Sequence, residues 1–197
     1  APDADGEPPS PVAIKVLRDG VDPALLVHRF DAERRILATL SHPGIARLLG
    51  AGRTRTGRPY LVLEYVEGVP IDAYCDQLRL GVRERVALMA RVCDAVQNAH
   101  RNLVVHRDLK PRNVLIQKWR GKYVAKITDF GLSKFSDSIS NSVISQSFKG
   151  GTLNYASPEQ IRGEQIRRNT DLWSFGVILH ELMTGEVPYK IDDSSES

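Results

Sequence analysis

The 197-residue chain is 42% hydrophobic, enough for the core of one or two globular domains. Its 27 basic and 24 acidic residues leave a net charge of +3. That balance argues against a nucleic-acid-binding or membrane-docking surface.

Residues 1–10 carry three prolines and no periodicity, which predicts a loop. Val12-Ala13-Ile14-Lys15-Val16 alternates like a strand, and on that evidence alone Lys15 is an ordinary strand-face lysine. Asp22-Pro23 is a helix start, a capping carboxylate before proline at the first helical position. Leu26, Phe30, Leu37 and Leu40 then share one helical face. Glu33 falls inside that stripe, where a charge is costly unless paired. It is either partnered there or a boundary glutamate beside Arg34 and Arg35 on a solvated face. Ser41-His42-Pro43-Gly44 ends the helix, with His42 a loop histidine. Gly50 to Arg55 lacks a third glycine and lies between two strand-like runs, so it reads as a hairpin turn. Tyr60 to Val66 reads as a buried strand. Two helices follow, near Pro70 to Leu78 and from about Val82 to His100. The second shows a core stripe of Val82, Val86, Met89, Cys93 and Val96. Cys75 and Cys93 lack CxxC spacing and read as buried free thiols in a reducing compartment.

After the apolar run Leu103-Val104-Val105 comes His106-Arg107-Asp108-Leu109-Lys110-Pro111-Arg112-Asn113. Pro111 bars a helix and biases Lys110 to extended angles, so the segment is a rigid loop. Asp108 can accept a proton, Lys110 can neutralise an anion, and Asn113 can offer an oxygen to a metal. Gln117 to Gly121 reads as a hairpin turn. Asp129-Phe130-Gly131 then places a second carboxylate after the strand-like Val124 to Thr128. Residues 133–149 hold seven serines and read as a polar loop. From Leu172 to Met183 the chain is apolar almost all round, which predicts a buried helix opened by Asp171. His180 and Glu181 interrupt that run, so no bilayer span is expected. With no signal peptide at the Pro-, Asp- and Gly-rich start, a cytoplasmic location is expected. Arginine dominates residues 1–117 (15 Arg, 2 Lys) and lysine residues 118–197 (4 Arg, 6 Lys). Either two sequence histories meet near Gln117–Gly121, or the serine-rich loop and chance account for the shift.

The octapeptide and the Asp-Phe-Gly tripeptide, in this order and spacing, resemble the catalytic and metal-binding loops of eukaryotic-type protein kinases. Val-Ala-Ile-Lys ending at Lys15 resembles the family's third-strand motif. The resemblance implies an α+β, two-lobe kinase-like fold: a small lobe over residues 1–66 and a mainly helical large lobe over 67–197. It also implies truncation at both ends. No Gly-x-Gly-x-x-Gly precedes Lys15, and the last helices of the large lobe are missing after Tyr189, which would leave Glu159 unpaired. The implied cofactors are ATP and magnesium. Asp108 would orient the substrate hydroxyl, Lys110 would stabilise the transferring phosphoryl, and Asn113 and Asp129 would hold the metal. Lys15 would grip the nucleotide phosphates, held by Glu33. Leu63 would be the gatekeeper, with the backbone of Glu64 and Val66 reading adenine. Arg107 would receive a phosphate added to the serine-rich activation segment, whose far anchor is Gly151-Thr152 and Ser157-Pro158-Glu159. The helix from Asp171 would hold the catalytic loop from beneath. Leu37, Leu48, His106 and Phe130 would stack between the lobes. Lys110 and Thr152 point to the serine/threonine branch, and residues 30–113 are most similar to bacterial serine/threonine kinases. The implied partners are proteins bearing serine or threonine, with no nucleic acid and no membrane; the oligomeric state is open. The alternatives are a pseudokinase or regulatory fragment that docks partners, and, more remotely, a small-molecule kinase.

Overall fold

The computed structural model describes residues 11–16, 30, 34–35, 37–119, 121–130 and 152–189. Strands β1 (Val12–Val16), β2 (Leu48–Arg53) and β3 (Pro59–Glu64) form an antiparallel sheet in the order β1-β3-β2. The register pairs Val12 with Glu64 and Val16 with Tyr60. The period of two in β1 turns Val12, Ile14 and Val16 outward and half-buries Ala13 and Lys15 on the other face.

The expected turn at Gly50–Arg55 is displaced. β2 runs through to Arg53, and the reversal is made by residues 54–58, where Gly57 adopts a φ of +83°. Gly52 serves the ladder instead: it pairs with Tyr60, and a Cβ there would meet the tyrosine hydroxyl at 2.6 Å.

A second sheet joins β4 (Val69–Pro70), β5 (Val114–Trp119) and β6 (Lys122–Ile127). The β5–β6 ladder continues to Trp119 opposite Lys122, so the reversal is tighter than the predicted Gln117–Gly121 turn, and Gly121 has φ +77°. The two sheets are tied by a parallel bridge. The Ala46 N–H donates to the Ile127 carbonyl at 2.9 Å, and the Ile127 N–H donates to the Gly44 carbonyl at 2.8 Å.

The helices whose full bounds fall among the described residues are α1 (Ile71–Gln77), α2 (Val82–Arg101), the single turn α3 (Pro158–Ile161) and α4 (Arg168–Thr184). The buried ridge of α2 is Met89, Val92, Ala95, Val96, Ala99 and His100. Of the expected stripe only Met89 and Val96 belong to it; Val82, Val86 and Cys93 are exposed. The first turns of α2 leave Val82 and Val86 exposed, and Ala95 packs close to Gly44. A Cβ at Gly44 would touch that of Ala95 at 3.1 Å. Cys75 is buried as expected; Cys93 corrects the expectation that both thiols are. α4 is likewise buried on one face only, through Val177, Ile178 and Leu182, while Leu172 is 58% exposed. Gly185, at φ +81°, caps it by donating its N–H to the Glu181 carbonyl at 2.8 Å.

One apolar cluster spans both sheets and the helices, from Phe30 and Leu37 through Leu61, Ile71 and Ile127 to Ile178. Among the described residues no helix is long and apolar enough to cross a membrane. The expected Asp22-Pro23 helix start, Glu33 and the serine-rich stretch 133–149 lie outside the described residues.

Candidate active site

Pro111 opens a 3-10 turn, Pro111–Asn113, and Lys110 before it is extended at φ −158° and ψ 162°. The loop entering that turn is held from below by a buried carboxylate. Asp171, fully buried, accepts the His106 N–H at 2.8 Å, the Arg107 N–H at 2.8 Å and His100 Nε2 at 2.7 Å. Burial pushes the Asp171 carboxyl up, but the His100 hydrogen bond, the nearby His106 and the two backbone N–H groups outweigh it. Its pKa lies below the ordinary carboxylate range.

His106 is also fully buried. It accepts the Asp108 N–H at Nδ1, 3.2 Å away, and donates from Nε2 to the Thr128 carbonyl at 2.8 Å. That network requires the Nε2–H tautomer. The His106 ring meets Phe130 edge-on at 4.6 Å.

Three of the predicted residues converge beside this loop. Lys110 Nζ lies 2.9 Å from Asp108 Oδ2 and 3.0 Å from Oδ1. Asn113 Nδ2 donates to the Asp108 carbonyl at 2.7 Å and to its Oδ2 at 3.2 Å. With its nitrogen committed to Asp108, Asn113 keeps Oδ1 as an acceptor for a hard cation. Asp129, at a left-handed φ of +67°, pairs with Lys15 at 2.5 Å. Glu33, expected to hold Lys15, lies outside the described residues. Thr152 begins the turn Thr152–Tyr155.

Beside Asp129 is a cleft of about 200 Å³. Ala13, Leu48, Leu63, Val66, Leu115 and Phe130 give it apolar walls, and Glu64 and Asp129 also line it. Sequence reasoning missed Ala13 and Leu115; their signal was strand alternation, two residues from Lys15 and Asn113 respectively. Among the described residues no three His, Cys, Asp or Glu side chains gather as a metal cage. A magnesium ion held largely by phosphates and water needs none, and the hard oxygens of Asn113 and Asp129 suit it.

The protein kinase domain model matches residues 7–197. The chain belongs to the protein kinase family. It is 36% identical over 189 residues to the serine/threonine-protein kinase PknB of Mycolicibacterium smegmatis, covering 93% of this chain and 29% of that protein. PknB of Mycobacterium tuberculosis is 35% identical over 187 residues, covering 92% of this chain and 29% of that protein. The chain therefore spans less than a third of the length of these relatives. The crystal structure of the Mycobacterium tuberculosis PknI kinase domain superposes with a TM-score of 0.66 at 24% identity. That match covers 92% of this chain and 67% of the other. The fold is the α+β kinase fold.

Two features of this kinase fold were not expected. Glu159, expected to lack its arginine partner, accepts a hydrogen bond from the uncharged Thr170 Oγ1 at 2.7 Å, which ties the segment anchor within the chain without being a charge pairing. Glu64, at the end of β3, accepts from Lys126 Nζ on β6 at 2.6 Å and from the Arg47 N–H at 3.2 Å. Burial pushes the Glu64 carboxyl up, and these two partners outweigh it, so its pKa is depressed. A depressed carboxyl contributes stability above its unfolded-state pKa, about 4.3, and that contribution fades as pH falls through the folded-state value. Lys126→Met should therefore lose less stability than the parent between roughly pH 6 and roughly pH 3, measured by urea titration. Equal acid slopes would contradict the pairing.

Proposed function

We propose that the chain carries the catalytic segment of a serine/threonine protein kinase, transferring the γ-phosphoryl group of Mg-ATP to protein serine and threonine hydroxyls. The observation that carries this is the Asp108 carboxylate held between Lys110 and Asn113, together with the Lys15–Asp129 pair and an apolar cleft that Asp129 lines. Phosphoryl transfer asks a protein for positioning and charge neutralisation, and these residue types supply both. The small lobe is assigned to residues 1–66 and the large lobe to 67–197.

In this reading the cleft takes adenine between Ala13 and Leu115, with Leu63 as gatekeeper and the backbone of Glu64 and Val66 as hydrogen-bonding edge. Lys15 binds the nucleotide phosphates, exchanging its contact with Asp129 for them, and Glu33 steadies it. Asp108 orients the substrate hydroxyl and takes its proton. Lys110 balances charge on the transferring group, and Thr152 contributes to choice of a serine or threonine acceptor. Asn113 and Asp129 hold magnesium, which when bound neutralises charge on the phosphate oxygens. Arg107 receives a phosphate placed on the serine-rich segment.

The test is transfer of labelled phosphate from Mg-ATP to a generic serine/threonine protein substrate, with the chain beside its Asp108→Asn variant. Transfer lost in the variant is expected. A folded chain that binds nucleotide and transfers nothing would overturn the reading in favour of a docking role.

A further inference from the structure

Gln160 lies in α3, 8% exposed, and its side chain bridges two places. Its Oε1 accepts the Ser157 N–H at 3.1 Å, and its own N–H donates to Ser157 Oγ at 3.4 Å. These two bonds are a reciprocal capping box. Its Nε2 donates to the Arg107 carbonyl at 2.7 Å, across 53 positions of sequence. Capping uses only the oxygen, so glutamate would serve the helix start equally well. The bond to Arg107 needs an amide.

Arg107 has a φ of +71°, a conformation that a non-glycine residue keeps only where its surroundings over-determine it. Asp171 holds its N–H; Gln160 holds its carbonyl. That carbonyl and the Asp108 N–H belong to one peptide plane, and the N–H is bound by His106 Nδ1 at 3.2 Å. Both edges of the plane entering Asp108 are therefore fixed, one from each side.

We propose that Gln160 is a positioning residue for Asp108. It sets the Arg107–Asp108 peptide plane and so the direction in which the carboxylate faces a substrate hydroxyl. The seat of α3 thereby becomes a determinant of the geometry of the catalytic loop. The proposal rests on the reading of Asp108 given above.

Gln160→Glu keeps the capping oxygen and loses the donor. At roughly pH 8 its kcat should fall about a hundredfold, with the ATP Kd from calorimetry unchanged. A carboxyl facing a carbonyl is pushed up in pKa, and once protonated it regains an O–H donor. The deficit should accordingly shrink toward roughly pH 6. Gln160→Met should show the same loss without recovery. His100, His106, Asp108, Glu159 and Asp171 are common to every form, so rates are compared as ratios to the parent at each pH. A parental kcat, or parallel pH profiles for the two variants, would overturn the proposal.

Amide exchange judges the clamp without turnover. In the nucleotide-free chain, both variants should exchange faster across residues 104–110 and unchanged across 172–182. Unchanged exchange in the loop would overturn the proposal even where the parent transfers no phosphate, a result that would by itself fail only the proposed function. If the charged variant unfolds, Gln160→Met decides by its kcat, Kd and exchange.

Discussion

Replacing Asp171 with alanine is expected to cost about 3–5 kcal/mol of folding stability, as removal of a buried carboxylate that satisfies several donors does. The carboxylate is fully buried and accepts from His106 N–H, Arg107 N–H and His100 Nε2. Alanine leaves these donors buried without an acceptor, and each such group costs about 1–3 kcal/mol. Asparagine does not repair the site, because its NH2 faces donors where the second carboxylate oxygen was. Relaxation of Arg107 from its left-handed conformation would also turn Asp108, so phosphate transfer should vanish in any molecules that stay folded. Urea unfolding of parent and variant measures the first effect. A loss under about 1 kcal/mol would mean that the loop is held by something other than this carboxylate.

Lys15→Met should do the opposite: little to stability, much to transfer. The Lys15 and Asp129 side chains are 41% and 30% exposed, and an ion pair screened by water contributes about 0–1 kcal/mol. Transfer should nevertheless fall about a hundredfold to a thousandfold, the range for removing one preorganised group that meets charge in the transition state. The two side chains are brought together from β1 and the segment after β6, so their pairing beside the cleft that Asp129 lines is a property of the fold. Paired urea and turnover measurements separate the effects. A variant that loses several kcal/mol while its surviving fraction turns over normally would make the pair structural and remove Lys15 from the site.

The parts of this molecule that local chemistry dictates could be read from the sequence. Val12–Val16 was readable because alternation forces Ala13 and Lys15 to one face, and the 106–113 loop because Pro111 admits few backbone paths. The parts set by distant neighbours could not. His100 read as a helix-end residue, and only the arrival of Asp171, 71 residues later, makes it a buried partner. The ridge of α2 was misplaced because it includes Ala95 and Ala99, which carry little hydrophobic signal, while Val82 and Val86 are exposed. Gly52 looked like a turn residue, yet it is there to admit the Tyr60 ring. Of the site, Asp108, Lys110, Asn113, Asp129 and Lys15 were visible as motif residues. Gln160 and Lys126 were not, since a glutamine beside a capping serine and a lysine on a strand are ordinary in sequence.

In the proposed function, Asp108 acts on the substrate hydroxyl in a nucleotide site that other residues build. The most direct measurement is kcat for transfer and the Kd for Mg-ATP on the same preparations of the chain and of Asp108→Asn. A fall in kcat of about a hundredfold to ten-thousandfold, the usual worth of a positioned acid–base group, is expected with Kd unchanged. Equal kcat in the two proteins, or a loss carried entirely by weaker nucleotide binding, would contradict the account.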